Sequence, residues 1–178
     1  MAETRPVRDL QLLKAHIRDV PDFPEPGILF RDITPLLADH ESFQLAVDAL
    51  ASPYRGVDKV VAIESRGFIL GAPVALALDA GLVPVRKAGR LPARTIQEEY
   101  TLEYGANTLE MHEDAVSPGD RVLIVDDVLA TGGTVLAASR LIERLGGGVA
   151  GISLLIELAF LEGRGRLTGF DVRSLLVY

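Results

Sequence analysis

Between residues 57 and 157 the sequence alternates short apolar runs with predicted helices, and this order constrains the fold more than any other feature. The apolar runs are "VDKVVAI" (57–63), "LVPV" (82–85), "RVLIVD" (121–126) and "VAGISLLIE" (149–157). Residues 67–81 and 132–147 are predicted to form helices between them. Because buried strands that alternate with helices build βαβ units, we predict an α/β fold: an open, mostly parallel sheet with helices on both faces.

The segments around this pattern complete a predicted single domain of residues 1–178, a length that suits one hydrophobic core. Apolar side chains at helical spacing predict amphipathic helices over 7–19 and 41–52. Residues 21–37 contain four prolines and predict a structured loop or short edge strand, not a helix. Residues 87–99 predict a mobile loop, and a β-hairpin containing "TLEY" and "NTLEMH" is expected to follow it.

Composition and charge exclude several classes of site. The net charge of −7 argues against a general nucleic-acid-binding protein. The absence of cysteine excludes disulfides, thiolate metal sites and cysteine nucleophiles, and the three histidines, His16, His40 and His112, share no metal-ligand spacing. The most apolar stretch, residues 148–163, is too short to span a bilayer, and the charged first residues lack the apolar core of a signal peptide. We therefore expect a cytoplasmic protein that binds neither membrane nor nucleic acid.

The run "RVLIVDDVLATGGT" (121–134) combines two kinds of ligand-binding chemistry. The small residues from Ala130 to Thr134 lead into a helix, where backbone N–H groups and hydroxyls suit a phosphate. Asp126 and Asp127 only accept hydrogen bonds when ionised, so their natural partner is a vicinal diol or a metal ion. A phosphate beside a diol describes a ribose 5-phosphate. The alternative is that Asp127 simply caps the helix and the glycines make a tight turn. Neither a Walker A loop nor a G-x-G-x-x-G run occurs, which disfavours P-loop NTPases and dinucleotide-binding enzymes.

The same run resembles the phosphoribosyl-pyrophosphate (PRPP) motif of the type I phosphoribosyltransferases. Three other stretches, "DFPEPGILFRDITPLL", "ESRGFILGAPVA" and "RKAGRLPARTIQEEYTLEYG", narrow the resemblance to the adenine phosphoribosyltransferases over nearly the full chain. The resemblance implies the family's parallel sheet, an N-terminal hood over the base at about 1–35 and a mobile β-hairpin lid at about 86–105. It also implies a non-proline cis peptide at Glu64–Ser65.

The resemblance assigns three groups of site residues. The residues implied to bind PRPP or AMP are Ser65, Arg66, Arg86, Lys87, Arg90, Asp126, Asp127, Ala130, Thr131, Gly132, Gly133 and Thr134. The adenine is expected to stack on Phe30 and to hydrogen-bond the backbone of Leu29 and Arg31. The implied catalytic residues are Arg66, which binds pyrophosphate, Glu103, which faces the base and handles a proton, and Tyr104, which shapes the closed site. Taken alone, Phe30 suits a core position, Arg66 a surface position and the basic cluster a solvated charge run.

The implied reaction is the purine-salvage step in which adenine and PRPP give AMP and pyrophosphate. Mg²⁺ is expected as cofactor, carried mainly by PRPP oxygens and water, with no dedicated metal ligands in the protein. The resemblance also implies a homodimer. Two alternatives stay open from sequence: a phosphoribosyltransferase for another purine such as xanthine or hypoxanthine, and a non-catalytic PRPP-sensing regulator. The hood segment "FPEPGILFRDITP" favours adenine.

Overall fold

The computed structural model describes residues 5–101 and 106–178, and its elements follow one another in the alternating order that the sequence predicts. In chain order they are α1 (Arg5–Ala15), β1 (Arg18–Pro21), β2 (Leu29–Asp32), α2 (Thr34–Ala38), α3 (His40–Ala51), β3 (Lys59–Ile63), α4 (Arg66–Ala77), β4 (Gly81–Lys87), β5 (Thr95–Thr101), β6 (Ala106–His112), β7 (Arg121–Leu129), α5 (Gly133–Arg144), β8 (Gly148–Glu157), the 3-10 helices Ala159–Leu161 and Gly163–Leu167, and β9 (Val172–Val177).

Seven strands form the central sheet in the order β5-β6-β4-β3-β7-β8-β9. The five strands from β4 to β9 in this order are parallel to one another. Strand β6 pairs antiparallel with β4, and β5 pairs antiparallel with β6, so a hairpin extends one edge. The predicted open, mostly parallel sheet is confirmed. The last strand, β9, lies beyond the final strand that the apolar pattern predicts.

The strand register explains how the sheet buries both of its faces. Val61 of β3 lies beside Ile124 of β7, and both belong to the buried cluster that also contains Leu141 of α5. The next pair along the two strands, Ala62 and Val125, has its side chains on the opposite face of the sheet. On that face Ala62 packs against Gly71 of α4, so closely that a Cβ on the glycine would lie 2.5 Å from the alanine Cβ. Helices α4 and α5 therefore cover opposite faces, as predicted.

The chain divides into two compact units, Met1–Ala49 and Leu50–Tyr178, and each is described by itself. In the first unit, the predicted helix over 7–19 is too long: α1 ends at Ala15, and β1 pairs antiparallel with β2. The exclusion of helix from 21–37 is also wrong at its end, where α2 begins. The Asp32 side chain stabilises the start of α2, since its carboxylate accepts hydrogen bonds from the Thr34 N–H at 2.9 Å and the Thr34 hydroxyl at 2.8 Å. The single-domain organisation with a hood stays a prediction.

The predicted loop over 87–99 is too long at both ends, because β4 runs to Lys87 and β5 begins at Thr95. One of the inward-facing residues of β5 is charged, so the strand does not show the usual alternation of apolar and polar residues. Glu98 is satisfied there by Arg140 and Arg144 of α5, at 3.1 and 3.2 Å. A pattern that counts only apolar residues does not detect such a strand. Across the described residues, the structure contains no helix long and apolar enough to cross a membrane.

Candidate functional site

A cavity of about 400 Å³ opens beside the carboxyl ends of β3 and β7, the edge at which open α/β sheets bind ligands. It unites residues from three motifs that lie far apart in the sequence. Its lining consists of Glu64, Ser65, Arg66, Lys87, Tyr100, Leu109, Asp126, Asp127, Val128, Leu129, Ala130, Thr131, Gly132, Thr134 and Val135. Gly133, which the sequence places with this group, lines instead a second cavity of about 210 Å³.

Asp126 and Asp127 lie inside β7 and not at its end, which corrects the sequence interpretation. Strand β3 pairs with β7 only as far as Val125, whereas β8 continues to Leu129. The two aspartates therefore occupy the first positions at which β7 extends past β3. Their side chains are nearly buried, with 8% and 6% of the residue surface exposed, and the Asp127 N–H donates to an Asp126 carboxylate oxygen at 2.9 Å.

Arg66 joins the pyrophosphate motif to the aspartate motif. It is the first residue of α4 and follows the Glu64–Ser65 peptide, which is cis as predicted. Its Nε lies 2.5 Å from Oδ2 of Asp127. Burial, reinforced by the negative charge of Asp127, raises the pKa of Asp126 well above its ordinary value. The two adjacent carboxyls thus have different environments: Asp127 pairs with a guanidinium, whereas burial raises the pKa of Asp126.

The phosphate loop, residues 130–134, turns β7 into α5. Gly132 adopts a left-handed conformation with φ +80°, and no side chain caps the helix at this position. The first-turn N–H groups of a helix have no partners within the helix, so this geometry suits an anion. The sequence interpretation attributes the small residues to close approach of the anion. In the structure, the Cβ direction of Gly132 is blocked by the protein itself: a Cβ there would lie 2.5 Å from the carbonyl oxygen of Gly163.

Arg86 and Lys87, two of the predicted PRPP-binding cations, point to different places. Lys87 lines the cavity. Arg86 forms a two-pronged contact with the Glu64 carboxylate, from Nε at 3.2 Å and Nη2 at 3.1 Å, and donates from Nη1 to the carbonyl of Arg90 at 3.1 Å. Glu64 also accepts from the Lys87 N–H at 3.1 Å. The Arg86 hydrogen bonds lower the pKa of Glu64. Arg86 therefore holds the pyrophosphate motif and the following loop together.

Glu110 anchors the basic loop, residues 88–94. Its side chain projects from β6, and only 2% of the residue surface is exposed. One carboxylate oxygen accepts from the N–H groups of Arg90 and Leu91, both at 2.7 Å, and the other accepts from the Thr95 hydroxyl at 3.2 Å. Burial acts to raise the pKa of Glu110, but the backbone hydrogen bonds outweigh it and lower the pKa. An ionised, buried carboxylate thus fixes the position of this loop.

Glu103 and Tyr104, the predicted proton-handling and site-shaping residues, lie outside the described residues. The nearby Tyr100 lines the cavity from β5. The sequence interpretation assigned this tyrosine no role.

Leu29, Phe30 and Arg31 form most of β2 in the first unit. The Phe30 ring packs edge-to-face on Phe23, with centroids 5.1 Å apart and planes at 74°. Strands β1 and β2 form a two-stranded sheet, so within the described residues one edge of β2 has no neighbouring strand. The adenine-binding role expected for these three residues stays a prediction.

The donor set of the cavity suits a metal ion carried by a ligand better than a metal cage. Among residues 5–101 and 106–178, no three His, Asp or Glu side chains come close enough together to hold an ion. Of the cavity's two adjacent aspartates, Asp127 is committed in part, because it pairs with Arg66. Mg²⁺ commonly binds through few protein oxygens together with substrate phosphates and water.

Glu64, Glu110 and Gly163 support the cavity, and the sequence interpretation assigned none of them a role. The two glutamates act on arginine side chains and loop N–H groups, so their roles depend on pairing across strands. Gly163 lies far along the chain from the phosphate loop. The sequence carries no signal for Glu110, because it lies between the apolar Leu109 and Met111 and alternation therefore places it on the polar face of the run "NTLEMH".

Comparison with known proteins agrees with this geometry. The family model described as the phosphoribosyl transferase domain matches residues 36–166. The adenine phosphoribosyltransferase of Myxococcus xanthus is 58% identical over 168 residues, which cover 93% of this chain and 91% of that protein. The crystal structure of adenine phosphoribosyltransferase from Rhodothermus marinus superposes with a TM-score of 0.93 at 56% identity, covering 97% of this chain and 99% of that one. The Saccharomyces cerevisiae enzyme, crystallised with adenine and an imino-altritol bisphosphate, gives a TM-score of 0.90 at 40% identity and covers 96% and 99% of the two chains.

Proposed function

Since the chain belongs to the adenine phosphoribosyltransferase family, we propose that its cavity binds PRPP and transfers the 5-phosphoribosyl group to adenine, giving AMP and pyrophosphate. The observation that carries this assignment is the placement of a carboxylate pair beside an uncapped helix N-terminus in one cavity. The two features match the two ends of a ribose 5-phosphate. The yeast relative that was crystallised with adenine supports the choice of base.

Asp126 and Asp127 accept hydrogen bonds from the two ribose hydroxyls. Both carboxyls line the cavity and are held by the strand pairing of β7 with β8. A fixed clamp of this kind orients the anomeric carbon for attack by the base, and positioning supplies a large part of the rate. The phosphate loop, residues 130–134, holds the 5-phosphate through backbone N–H groups and the Thr131 and Thr134 hydroxyls.

Negative charge develops on the pyrophosphate as its bond to the ribose breaks, and cations stabilise it. Ser65, Arg66 and Lys87 line the cavity on the side of the pyrophosphate motif. Mg²⁺ bound to the pyrophosphate oxygens would supply further positive charge at the leaving group. Arg66 lies on this side of the cavity and also pairs with Asp127. It therefore links the leaving-group end of the site to the ribose clamp.

The proposal also assigns roles to the basic loop and to the adenine-binding residues. Arg86 and Arg90 hold the basic loop through Glu64 and the Arg90 carbonyl, and a closed loop would exclude water that competes with adenine. Glu103 handles a proton of the base, and Tyr104 shapes the closed site. Adenine stacks on Phe30 and hydrogen-bonds the backbone of Leu29 and Arg31, as the family resemblance implies.

The assay is AMP formation from PRPP and Mg²⁺, with adenine, hypoxanthine, xanthine and guanine supplied separately and each product identified by mass. AMP from adenine, with little product from the other bases, is the expected result. Efficient conversion of another purine would overturn the adenine assignment, and turnover unaffected by a chelator would overturn the role of Mg²⁺. The cytoplasmic location expected from the sequence stays a prediction that cell fractionation would test.

A homodimer is part of the same proposal, and its interface includes the exposed face of α4. Ile69 and Leu76 lie seven residues apart, on one side of the helix, and Leu76 is 80% exposed. Leu82 of β4 is also exposed beside this helix, since it approaches the Gly71 position. Exposed apolar groups of this kind favour association with a second copy. Sedimentation equilibrium should show a dimer that Leu76→Lys weakens, whereas Val177→Lys, at the far edge of the parallel sheet, should leave it intact. A monomeric wild-type protein would overturn this part.

A further inference from the structure

The phosphate loop packs directly on Gly163, a residue far from it in sequence. A Cβ built on Gly163 would lie 2.9 Å from the backbone nitrogen of Gly132 and would overlap the carbonyl oxygen of Ala130. In return, a Cβ on Gly132 would lie 2.5 Å from the carbonyl oxygen of Gly163. All these separations are well inside van der Waals contact. Two backbones therefore touch at this point, and neither residue has room for a side chain.

The Gly163 turn, residues 162–167, is anchored on the strand that neighbours the phosphate loop. Arg164 binds Glu157 at the end of β8 with two hydrogen bonds, Nε to Oε1 at 2.9 Å and Nη2 to Oε2 at 2.5 Å, and donates to the carbonyl of Val172 at 2.7 Å. The Arg164 hydrogen bond holds the pKa of the buried Glu157 below its ordinary value. Glu157 in turn pairs with Leu129, the residue before the phosphate loop.

The backbone next to Gly163 carries a local cost that the packing must offset. Glu162 has φ +53°, in the left-handed region that non-glycine residues rarely adopt. Such a conformation is unfavourable for a residue with a side chain and persists where the surroundings hold it. Gly163 itself has no positive φ, so its lack of a side chain is needed for contact with the loop and not for backbone freedom.

We propose that Gly163, fixed by the Glu157–Arg164 ion pair, is a positioning residue. Its backbone sets the position of the phosphate loop and thereby the affinity for the 5-phosphate of PRPP. Gly163 is not among the residues that line the cavity; it acts through the backbone of Ala130 and Gly132. The inference rests on the proposed function, because the ligand of the loop is taken to be a ribose 5-phosphate.

The test compares Gly163→Ala with a matched control in the same turn, Gly165→Ala. A Cβ on Gly165 would have no atom within 4 Å, so this variant should behave as wild type. In Gly163→Ala the loop must move by about 1 Å to clear the added carbon. A displacement of that size in a positioning element should raise KM for PRPP by roughly tenfold to a hundredfold. KM for adenine should change little, and binding of ribose 5-phosphate, measured by calorimetry, should weaken in parallel.

A second variant keeps the test decisive if Gly163→Ala fails to fold. Arg164→Lys keeps the positive charge but loses the two-pronged contact with Glu157, and it should raise KM for PRPP while leaving KM for adenine unchanged. Unchanged PRPP affinity in a folded Gly163→Ala, or in Arg164→Lys when the first does not fold, would overturn the positioning role. If Gly163 had only a structural role, the substitutions would instead lower the melting temperature, and KM for PRPP would not rise relative to KM for adenine. If wild type forms no AMP yet binds ribose 5-phosphate more tightly than Gly163→Ala does, the proposed function fails and the positioning role stands.

Discussion

Replacing Asp127 by asparagine tests the ribose clamp with the smallest change in shape. The side chain is nearly buried, and one of its oxygens lies 2.5 Å from Arg66 Nε. Asparagine fills the same volume but carries no charge, and half of its polar end donates instead of accepting. The variant therefore removes the charged acceptor for a ribose hydroxyl and leaves the guanidinium of Arg66 without its counter-charge.

The loss in rate follows from the strength of one charge-assisted hydrogen bond. Such a bond contributes about 1.5–3 kcal/mol in a protein. Each tenfold in rate corresponds to about 1.4 kcal/mol, so kcat/KM for PRPP should fall by roughly 10- to 150-fold. Stability should change less, because Arg66 is 39% exposed and water can solvate it when its partner is lost.

The measurement is the initial rate of AMP formation at varied PRPP with saturating adenine and Mg²⁺, together with a melting curve for each protein. Asp79→Asn is the matched control. Asp79 is exposed just beyond the far end of α4 from Arg66 and has φ +54°, a conformation that asparagine tolerates. A folded Asp127→Asn protein whose kcat/KM stays within about twofold of wild type would refute the ribose-clamp assignment.

Three further variants separate stability from function. Asp126→Asn removes a carboxyl whose pKa is raised by burial. The stabilisation from the native carboxyl is present in acid and is lost as pH rises above about 4 toward its folded pKa, so the melting temperature of Asp126→Asn relative to wild type should increase over that rise. Glu110→Gln should lower the free energy of unfolding by about 1.5 kcal/mol in urea titrations at neutral pH; because the pKa of Glu110 is lowered, this difference should disappear as pH falls through it. Tyr54→Phe loses a buried hydrogen bond to the Ile152 carbonyl at 3.2 Å, so the free energy of unfolding should fall by about 1 kcal/mol. The KM values should stay unchanged; altered kinetics would mean that this distant part of the core also positions the site.

The parallel sheet could be predicted because its strands are buried on both faces and therefore appear as continuous apolar runs. The hairpin boundary could not, because Glu98 occupies an inward position of β5 and is satisfied by arginines from α5. Periodicity detects burial only when burial coincides with apolar character. The same limit applies to β1, whose four residues "RDVP" are mostly exposed and pair with a strand across a proline-rich turn.

The ligand-binding half of the site could be predicted because each of its motifs is local, with carboxylates, glycines and hydroxyls adjacent in the chain. Its supporting half could not be predicted in this way. The backbone at Gly132 leaves no room for a side chain at Gly163, and the backbone of Gly163 leaves none at Gly132. Nothing in either local sequence indicates that the two residues meet. The interpretation of Gly132 as room for the anion was therefore incomplete, since the protein's own backbone already occupies the space on its Cβ side.

The two aspartates show most directly what folding adds to a motif. In the sequence they are equivalent neighbours, and each would repel the other's negative charge. The fold distinguishes them, because the start of α4 brings Arg66 to Asp127 while Asp126 is buried beside its charged neighbour. A ribose diol offers two hydroxyl donors. It meets one carboxylate that is paired with a cation and one carboxyl whose raised pKa disfavours the ionised, acceptor-only form. PRPP binding at low pH should therefore release a proton from Asp126, so its affinity should weaken with falling pH in wild type and respond less in Asp126→Asn. Equal pH dependence in the two proteins would mean that Asp126 does not take part in binding the ribose.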